Sequence, residues 1–247
     1  MDKNINSNGY EYVDLCLPSG TLWATCNVGA SKPMDYGKYF QWGDIKGWTK
    51  KQVGTGEGKK KFAADGSDYK KGTKPNFSKY TTPGARLDLE DDAAHVNMGG
   101  DWHIPSPSQI KELIDNTTSE WMEQDDVKGR LFTSKKDSSK SIFIPAAGYA
   151  SGGSVNFSGS FGYVWSTLLI ADNVNHGHLL RFYSDNSKLD YGYRYYGFSV
   201  RGVIDKKVDY SKGKKNNMEA KEGRSIEGIV NQLNYPQAKD LWDLGKT

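Results

Sequence analysis

Four histidines, two cysteines and several acidic clusters are the residues of this chain whose types could carry chemistry. His176-Gly177-His178 places two imidazoles at i and i+2, which on a strand share one face and could hold a metal ion. No cysteine or carboxylate spacing completes a zinc set, so the pair is read as surface contact residues. Asp91-Asp92 and Asp125-Asp126 are adjacent, and neighbouring side chains point apart, unlike the facing carboxylates of a glycosidase. Asp88, Glu90 and Asp92 suit calcium by type but lack EF-hand spacing. Acids in the first turn of a solvated helix explain them equally well. The sequence carries no HExxH, P-loop, GxGxxG or GxSxG motif. No catalytic centre, metal or cofactor is expected.

The richest segment is 172–196, DNVNHGHLLRFYSDNSKLDYGYRYY. Asn, Asp, His, Ser and Tyr crowd around one apolar strand, Leu179-Leu180 with Phe182. That mixture is poor core material and good contact material. Tyrosine gives large area at low entropic cost, and Asn, Ser and Gly adapt their hydrogen bonds. Tyr191, Tyr193, Tyr195 and Tyr196 suit stacking on sugar rings, nucleobases or a protein patch; closing a sheet edge is the structural alternative.

The elements that must position this segment are short. Tyr10–Val28 reads as two strands around a turn at Pro18-Ser19-Gly20. A two-residue Ser19-Gly20 loop would set Cys16 opposite Trp23 and Val13 opposite Cys26. The sulfurs are then separated along the ladder, so two buried thiols are expected and no disulfide. Residues 29–48 read as a loop or short helix pinned by aromatics. Residues 49–82 read as a Lys/Gly-rich insertion tethered by Phe62, Tyr69, Phe77 and Tyr80. A helix over 88–98 would bury Leu89, Ala93 and Val96, with Gly99-Gly100 ending it. Ser106 before Pro107, with Gln109 following, forms a capping box that starts a helix running to about Asn116, with Ile110, Leu113 and Ile114 on one face. Strands follow at Val127–Thr133, Ser141–Pro145, around Tyr163–Ser166, Gly177–Tyr183 and Gly197–Val203. Residues 147–162 read mostly as loop. Residues 1–9 are polar and read as flexible, and 205–247 as a charged linker and docking arm.

The 247 residues suffice for a full core. Apolar content is only 36%, but 7 Trp, 15 Tyr and 9 Phe bury large area per side chain. The balance of 33 basic and 30 acidic residues gives no concentrated basic face, so nucleic acid is not expected as a partner. Lys59-Lys60-Lys61 and its lysine neighbours read as a solvated loop, with polyanion contact as the alternative. No apolar run is long enough to span a membrane. The opening MDKNINSNGYEYVDL lacks the apolar stretch of a signal peptide, so a virion component released by lysis is expected in preference to classical secretion.

Several segments carry a resemblance: Val13-Asp14-Leu15, LPSGTLWATCNVGA (17–30), YGKYFQWGD (36–44), EDDAAHVNMGGDWHIPSPSQIKELI (90–114), SIFIPAAGY (141–149), GYVWST (162–167) and GFSVRGV (197–203). In this order, over residues 10–204, they resemble the Fibrobacter succinogenes major paralogous domain family of Bacteroidetes and their phages. The resemblance implies an α+β, C-type-lectin-like fold with two helices and a mixed, mainly antiparallel sheet. It makes Trp23, Trp42, Trp102, Pro105, Trp165 and Arg201 structural positions and implies no catalysis. Formylglycine-generating relatives use a cysteine pair late in the domain, whereas Cys16 and Cys26 lie in the first hairpin. The Glu-Pro-Asn and Trp-Asn-Asp calcium motifs of animal C-type lectins are missing.

Retroelement-diversified proteins of this kind carry variable Asn, Asp, Tyr, His and Ser near the end of the fold. By that likeness the contact residues are Asp172, Asn173, Asn175, His176, His178, Ser184, Asn186, Asp190, Tyr191, Tyr193, Tyr195 and Tyr196. The expected function is non-enzymatic recognition of a host cell-surface glycan or protein, on a virion surface or alternatively a bacterial one. Other virion proteins would dock through 205–247, and a homo-oligomer would add avidity. A structural decoration protein without host ligand is the alternative, and a formylglycine-generating-type enzyme a distant third.

Overall fold

The computed structural model describes residues 4–5, 8–69, 71–73 and 76–206. These belong to one unit that ends at Lys206. The docking arm read over 205–247 lies outside the described residues from 207 onward.

In chain order the strands begin with β1 (Asn4–Ile5), β2 (Glu11–Asp14), β3 (Leu22–Asn27), β4 (Lys38–Tyr39) and β5 (Trp48–Thr49). The insertion adds β6 (Gly72–Thr73) and β7 (Asn76–Phe77), and α1 (Ala93–Met98) and α2 (Pro107–Asn116) follow. Then come β8 (Thr117–Gln124), β9 (Val127–Ser134), β10 (Ser141–Pro145), β11 (Tyr149–Ser151) and β12 (Ser154–Asn156). The last four are β13 (Gly162–Ile170), β14 (Asn173–Phe182), β15 (Ser187–Tyr193) and β16 (Arg201–Ile204). The fold is α+β, with two α-helices among the described residues and a mostly antiparallel sheet arrangement. Every described ladder is antiparallel, and parallel pairing is confined to the isolated bridges Val164–Ser199 and Val53–Lys60.

Residues 197–204 are the column that joins the sheets. Gly197 exchanges two backbone bonds with Ala150, and Phe198 exchanges two with Phe40. Ser199 bridges Tyr163 and Trp165 on β13, and β16 then pairs with β3. The sheet β1-β2-β3-β16 is thereby tied to the sheet β13-β14-β15. Two of the apolar clusters among the described residues are large. One holds Trp42, Trp102, Trp165, Leu179, Phe198 and the buried face of α1. The other holds Leu15, Trp23, Phe132, Leu180, Phe182 and the Ile110 and Leu113 face of α2.

The six residues expected to be structural are all buried: Trp23, Trp42, Trp102, Pro105, Trp165 and Arg201. Trp42 Nε1 donates to the Ser166 carbonyl at 2.8 Å, and Trp165 Nε1 donates to the Phe40 carbonyl at 2.7 Å. Each indole therefore satisfies its buried N–H on a backbone carbonyl one or two residues from the other indole. Arg201 crosses the core with bonds to Asn27 Oδ1 and to the carbonyls of Ala24 and Phe143.

α2 starts as its capping box dictates, with Ser106 Oγ accepting from the Gln109 amide and Gln109 Oε1 accepting from the Ser106 amide. The helix expected over 88–98 is shorter. A 3-10 turn (Leu89–Asp91) precedes α1, and Leu89 and Val96 are exposed while Ala93, Ala94 and Met98 are buried. The cause is Asp92, whose buried carboxylate accepts from the amides of Ala94, His95 and Ile104. Capping at Asp92 restarts the helix and turns a different face inward.

The first hairpin also differs from expectation. Val13 pairs with Trp23, not Cys26, because β2 stops at Asp14 and residues 15–21 form a wide connection with Cys16 at positive φ. Both cysteines are free, as their separation implied, but half-buried instead of buried. Residues 1–9 are not wholly loose, since Asn4–Ile5 pairs with Glu11–Tyr12. The short strands β1 and β4 to β7 went unforeseen, as did β8, the β11–β12 hairpin and β15, whose polar residues carry little strand signal.

Candidate functional site: an aromatic rim on β14 and β15

β14 and β15 form a hairpin in which His176 faces Tyr193 and His178 faces Tyr191. The His-Gly-His pair thus sits inside β14, which starts earlier than the strand expected over Gly177–Tyr183. The His176 ring lies 4.3 Å from that of Tyr193 and 5.3 Å from that of Tyr191. Among the described residues, the His/Cys/Asp/Glu groups close enough to hold a metal do not include either histidine. Burial lowers the His178 pKa, so its imidazole stays neutral at ordinary pH.

Between the histidines, Gly177 stands opposite Gly192. Neither position has room for a side chain. A Cβ at Gly177 would lie 2.9 Å from Trp42, and one at Gly192 would lie 2.6 Å from Phe198. The glycine pair lets the aromatic core rise close to the strands. β15 is also the outer strand of its sheet. The result is a depression of about 320 Å³ at the β15 edge. Gly192 and Phe198 form part of its lining, and His176, Tyr191, Tyr193 and Tyr196 supply the predicted share. Tyr149 and Tyr163 complete it from β11 and β13.

The rings brace each other. Tyr149 stacks on Tyr196 at 5.3 Å and Tyr163 stacks on Phe198 at 5.0 Å. Tyr193 stacks on Tyr195 at 5.1 Å. Tyr191 differs, being 57% exposed. Burial raises the phenol pKa values of Tyr163 and Tyr196, so both hydroxyls stay protonated.

The remaining predicted contacts scatter. Tyr195 is buried, packed against Gly66 with Tyr69 and Phe77, and burial pushes its phenol up to about 12. Asn175 is held by Asn173, whose Oδ1 accepts from both its backbone and side-chain nitrogens. Asp190 binds Arg181 and Lys188, each at 3.1 Å. Asp172 is exposed at the turn before β14, while Ser184 and Asn186 are exposed at the turn after it. With ~3.4 Å of rise per strand residue, Ser184 lies roughly 25 Å from His176. The structure therefore brings together four predicted residues, His176, Tyr191, Tyr193 and Tyr196, and leaves the two turns apart.

Sequence reasoning missed Tyr149, Tyr163 and Arg194. Tyr149 lay in a Gly-rich stretch read as loop, and no local signal points it at Tyr196. Arg194 is fully buried although it lies in the polar, tyrosine-rich segment 172–196. Its guanidinium donates to Tyr69 Oη and to the carbonyls of Lys79, Tyr80 and Val174, and lies 4.2 Å from the Phe77 ring centroid. This one side chain fastens the insertion beneath the rim. Phe62, Tyr69 and Phe77 are buried and Tyr80 packs on the core, as tethers should. Lys60 pairs with Asp68 and Lys71 with Asp91, so these lysines are not freely solvated.

Among the acidic residues, Asp88, Glu90 and Asp91 converge, and Asp92 does not join them because it caps α1. The Lys79 ammonium lies among the three, at 2.8, 2.8 and 2.7 Å. A side-chain cation of the chain already sits at that cluster.

Comparisons of the chain with protein-family models, with curated proteins and with solved structures gave no match. No described helix is long and apolar enough to cross a membrane.

Proposed function

We propose that this chain is a non-enzymatic recognition domain of the C-type-lectin-like kind. In this reading it is displayed on a phage particle and binds a host cell-surface glycan or protein through the β14–β15 rim. The observation that carries the reading is the aromatic depression at the edge strand: tyrosines and an imidazole around an open hollow in place of an apolar core. Large rigid rings at an accessible edge lose little entropy on binding. The return of β16 to pair with β3, with two helices and a mostly antiparallel sheet, supports the lectin-like part of the reading. Attachment to other virion proteins is assigned to residues 205–247, and repetition of the domain in a homo-oligomer would compensate for weak single sites.

The test is binding of the full chain to intact gut-bacterial cells. Wild type is compared with a Tyr191→Ala, Tyr193→Ala double variant whose fold is checked by circular dichroism. Lost binding in the folded variant supports recognition at the rim. Equal binding would move the site elsewhere, and no binding by wild type across a broad strain panel would favour a structural decoration protein.

A further inference from the structure

We infer that the depression at the β15 edge takes one neutral pyranose ring, seated by its C–H face on an exposed tyrosine. This rests on the recognition reading above and narrows its ligand from a glycan or protein to the terminal sugar of a glycan. Size comes first. At about 320 Å³ the hollow lies at the lower end of the ~300–1,000 Å³ range of ligand sites. A hollow of this size accommodates a single pyranose ring.

Charge comes second. No Asp, Glu, Lys or Arg lines the hollow. Asp190, on the same strand, is already held by Arg181 and Lys188. A carboxylate, phosphate or sulfate would lose its water without gaining a counter-charge. A quaternary ammonium needs several ring faces turned on one point. Here Tyr149 and Tyr163 each spend a face on Tyr196 and Phe198. A pyranose needs one ring face for its C–H side and hydrogen-bonding groups around it. Tyr191 is the most exposed ring, and the phenols of Tyr163, Tyr193 and Tyr196 can both donate and accept.

The floor fits the same ligand. Gly192 has no side chain, and the Phe198 ring packs into the space one would occupy, so the two together line the hollow. The shape is fixed before binding, because Tyr149 is stacked on Tyr196 and Tyr163 on Phe198.

The experiment is saturation-transfer NMR on the full chain. The probes are the methyl glycosides of glucose, galactose, mannose, fucose and N-acetylglucosamine, with tetramethylammonium and p-cresol as non-sugar probes. The expected result is transfer to at least one glycoside, strongest at the ring protons of one face. Tyr191→Ala should then raise Kd about tenfold, as loss of one ring stack does. Tyr191 is largely exposed, so this variant keeps its fold, which an amide spectrum verifies. Tyr193→Ala, checked the same way, should also weaken transfer by removing a second lining ring. Transfer to none of the glycosides, or only to tetramethylammonium or p-cresol, overturns the inference. Undiminished transfer in both variants also overturns it. Rim-dependent cell binding without glycoside transfer would leave the recognition reading standing and sink this one. Glycoside transfer without cell binding would do the reverse.

Discussion

Arg194 Nε donates to the Tyr69 hydroxyl at 3.1 Å, across 125 residues of chain. Both groups are buried, and the Tyr69 hydroxyl in turn donates to the Trp42 carbonyl. The insertion, the loop that carries Trp42 and the chain leaving the β14–β15 hairpin therefore meet at one guanidinium. No carboxylate bonds to it among the described residues. Carbonyls and ring faces stabilise its charge instead, with ring centroids at 5.3 Å for Trp42 and 5.2 Å for Tyr69.

Replacing Arg194 by Met should cost on the order of 3 kcal/mol or more, because several carbonyls lose a charged donor together. Arg194→Lys should recover only part of this, since an ammonium cannot span the fork. Urea unfolding measures the loss. Limited proteolysis should show faster cleavage within 60–80 in the Met variant.

Trp42 and Trp165 should be unequal to phenylalanine despite similar packing. Trp42→Phe leaves the Ser166 carbonyl without its indole donor, and Trp165→Phe does the same to Phe40. Each should cost about 1–3 kcal/mol. Gly177→Ala should cost about the same by overpacking, because its Cβ meets Trp42. Thermal unfolding of the three variants checks this.

Lys79, already paired with Asp88, Glu90 and Asp91, should make the acidic cluster indifferent to calcium. In wild type, millimolar calcium or chelator should leave Tm unchanged, and terbium luminescence should stay at background. Lys79→Ala leaves Asp88, Glu90 and Asp91 facing each other and should gain terbium binding. Burial alone would raise the Asp91 pKa, yet hydrogen bonds from Lys71, Lys79 and Tyr80 hold it below the usual carboxylate value. A carboxylate depressed in the fold gives stability that is present above the unfolded pKa and lost as pH falls through the folded one. Acid unfolding should therefore begin at higher pH in Lys79→Ala than in wild type.

His178 should impose a second pH dependence nearer neutrality. Burial lowers its folded pKa, partly offset by its hydrogen bond with the Asp190 backbone. The unfolded chain then takes up a proton first as pH falls. Stability is full above the unfolded histidine value of about 6.5 and declines below it, toward the folded value. The urea midpoint should fall between neutral pH and mildly acid pH in wild type. The slope should shrink in His178→Gln.

Much of the frame was legible locally. Ser106, Pro107 and Gln109 define the start of α2, because a capping box satisfies backbone amides within four residues. Ser141–Pro145 reads as a strand and is one, since a short β-branched and aromatic run at this length needs no distant partner to be recognised. The aromatics of the insertion announced its tethers by contrast with the Lys/Gly sequence around them. The register of the first hairpin was not legible. It depends on where β2 stops and on the wide 15–21 connection, whose non-glycine Cys16 at positive φ carries no local sequence signal.

The sequence by itself determined that residues 172–196 are polar and tyrosine-rich and that α2 begins at Pro107. Only the tertiary structure decided which tyrosines face outward. Tyr191, Tyr193, Tyr195 and Tyr196 are alike in type and close in sequence. Yet Tyr195 is buried against Gly66, while Tyr191 projects from an edge strand. The difference arises from contacts with the insertion, β11 and β13, segments distant along the chain. Burial of a side chain depends on what folds over it, and local residue type carries no record of that.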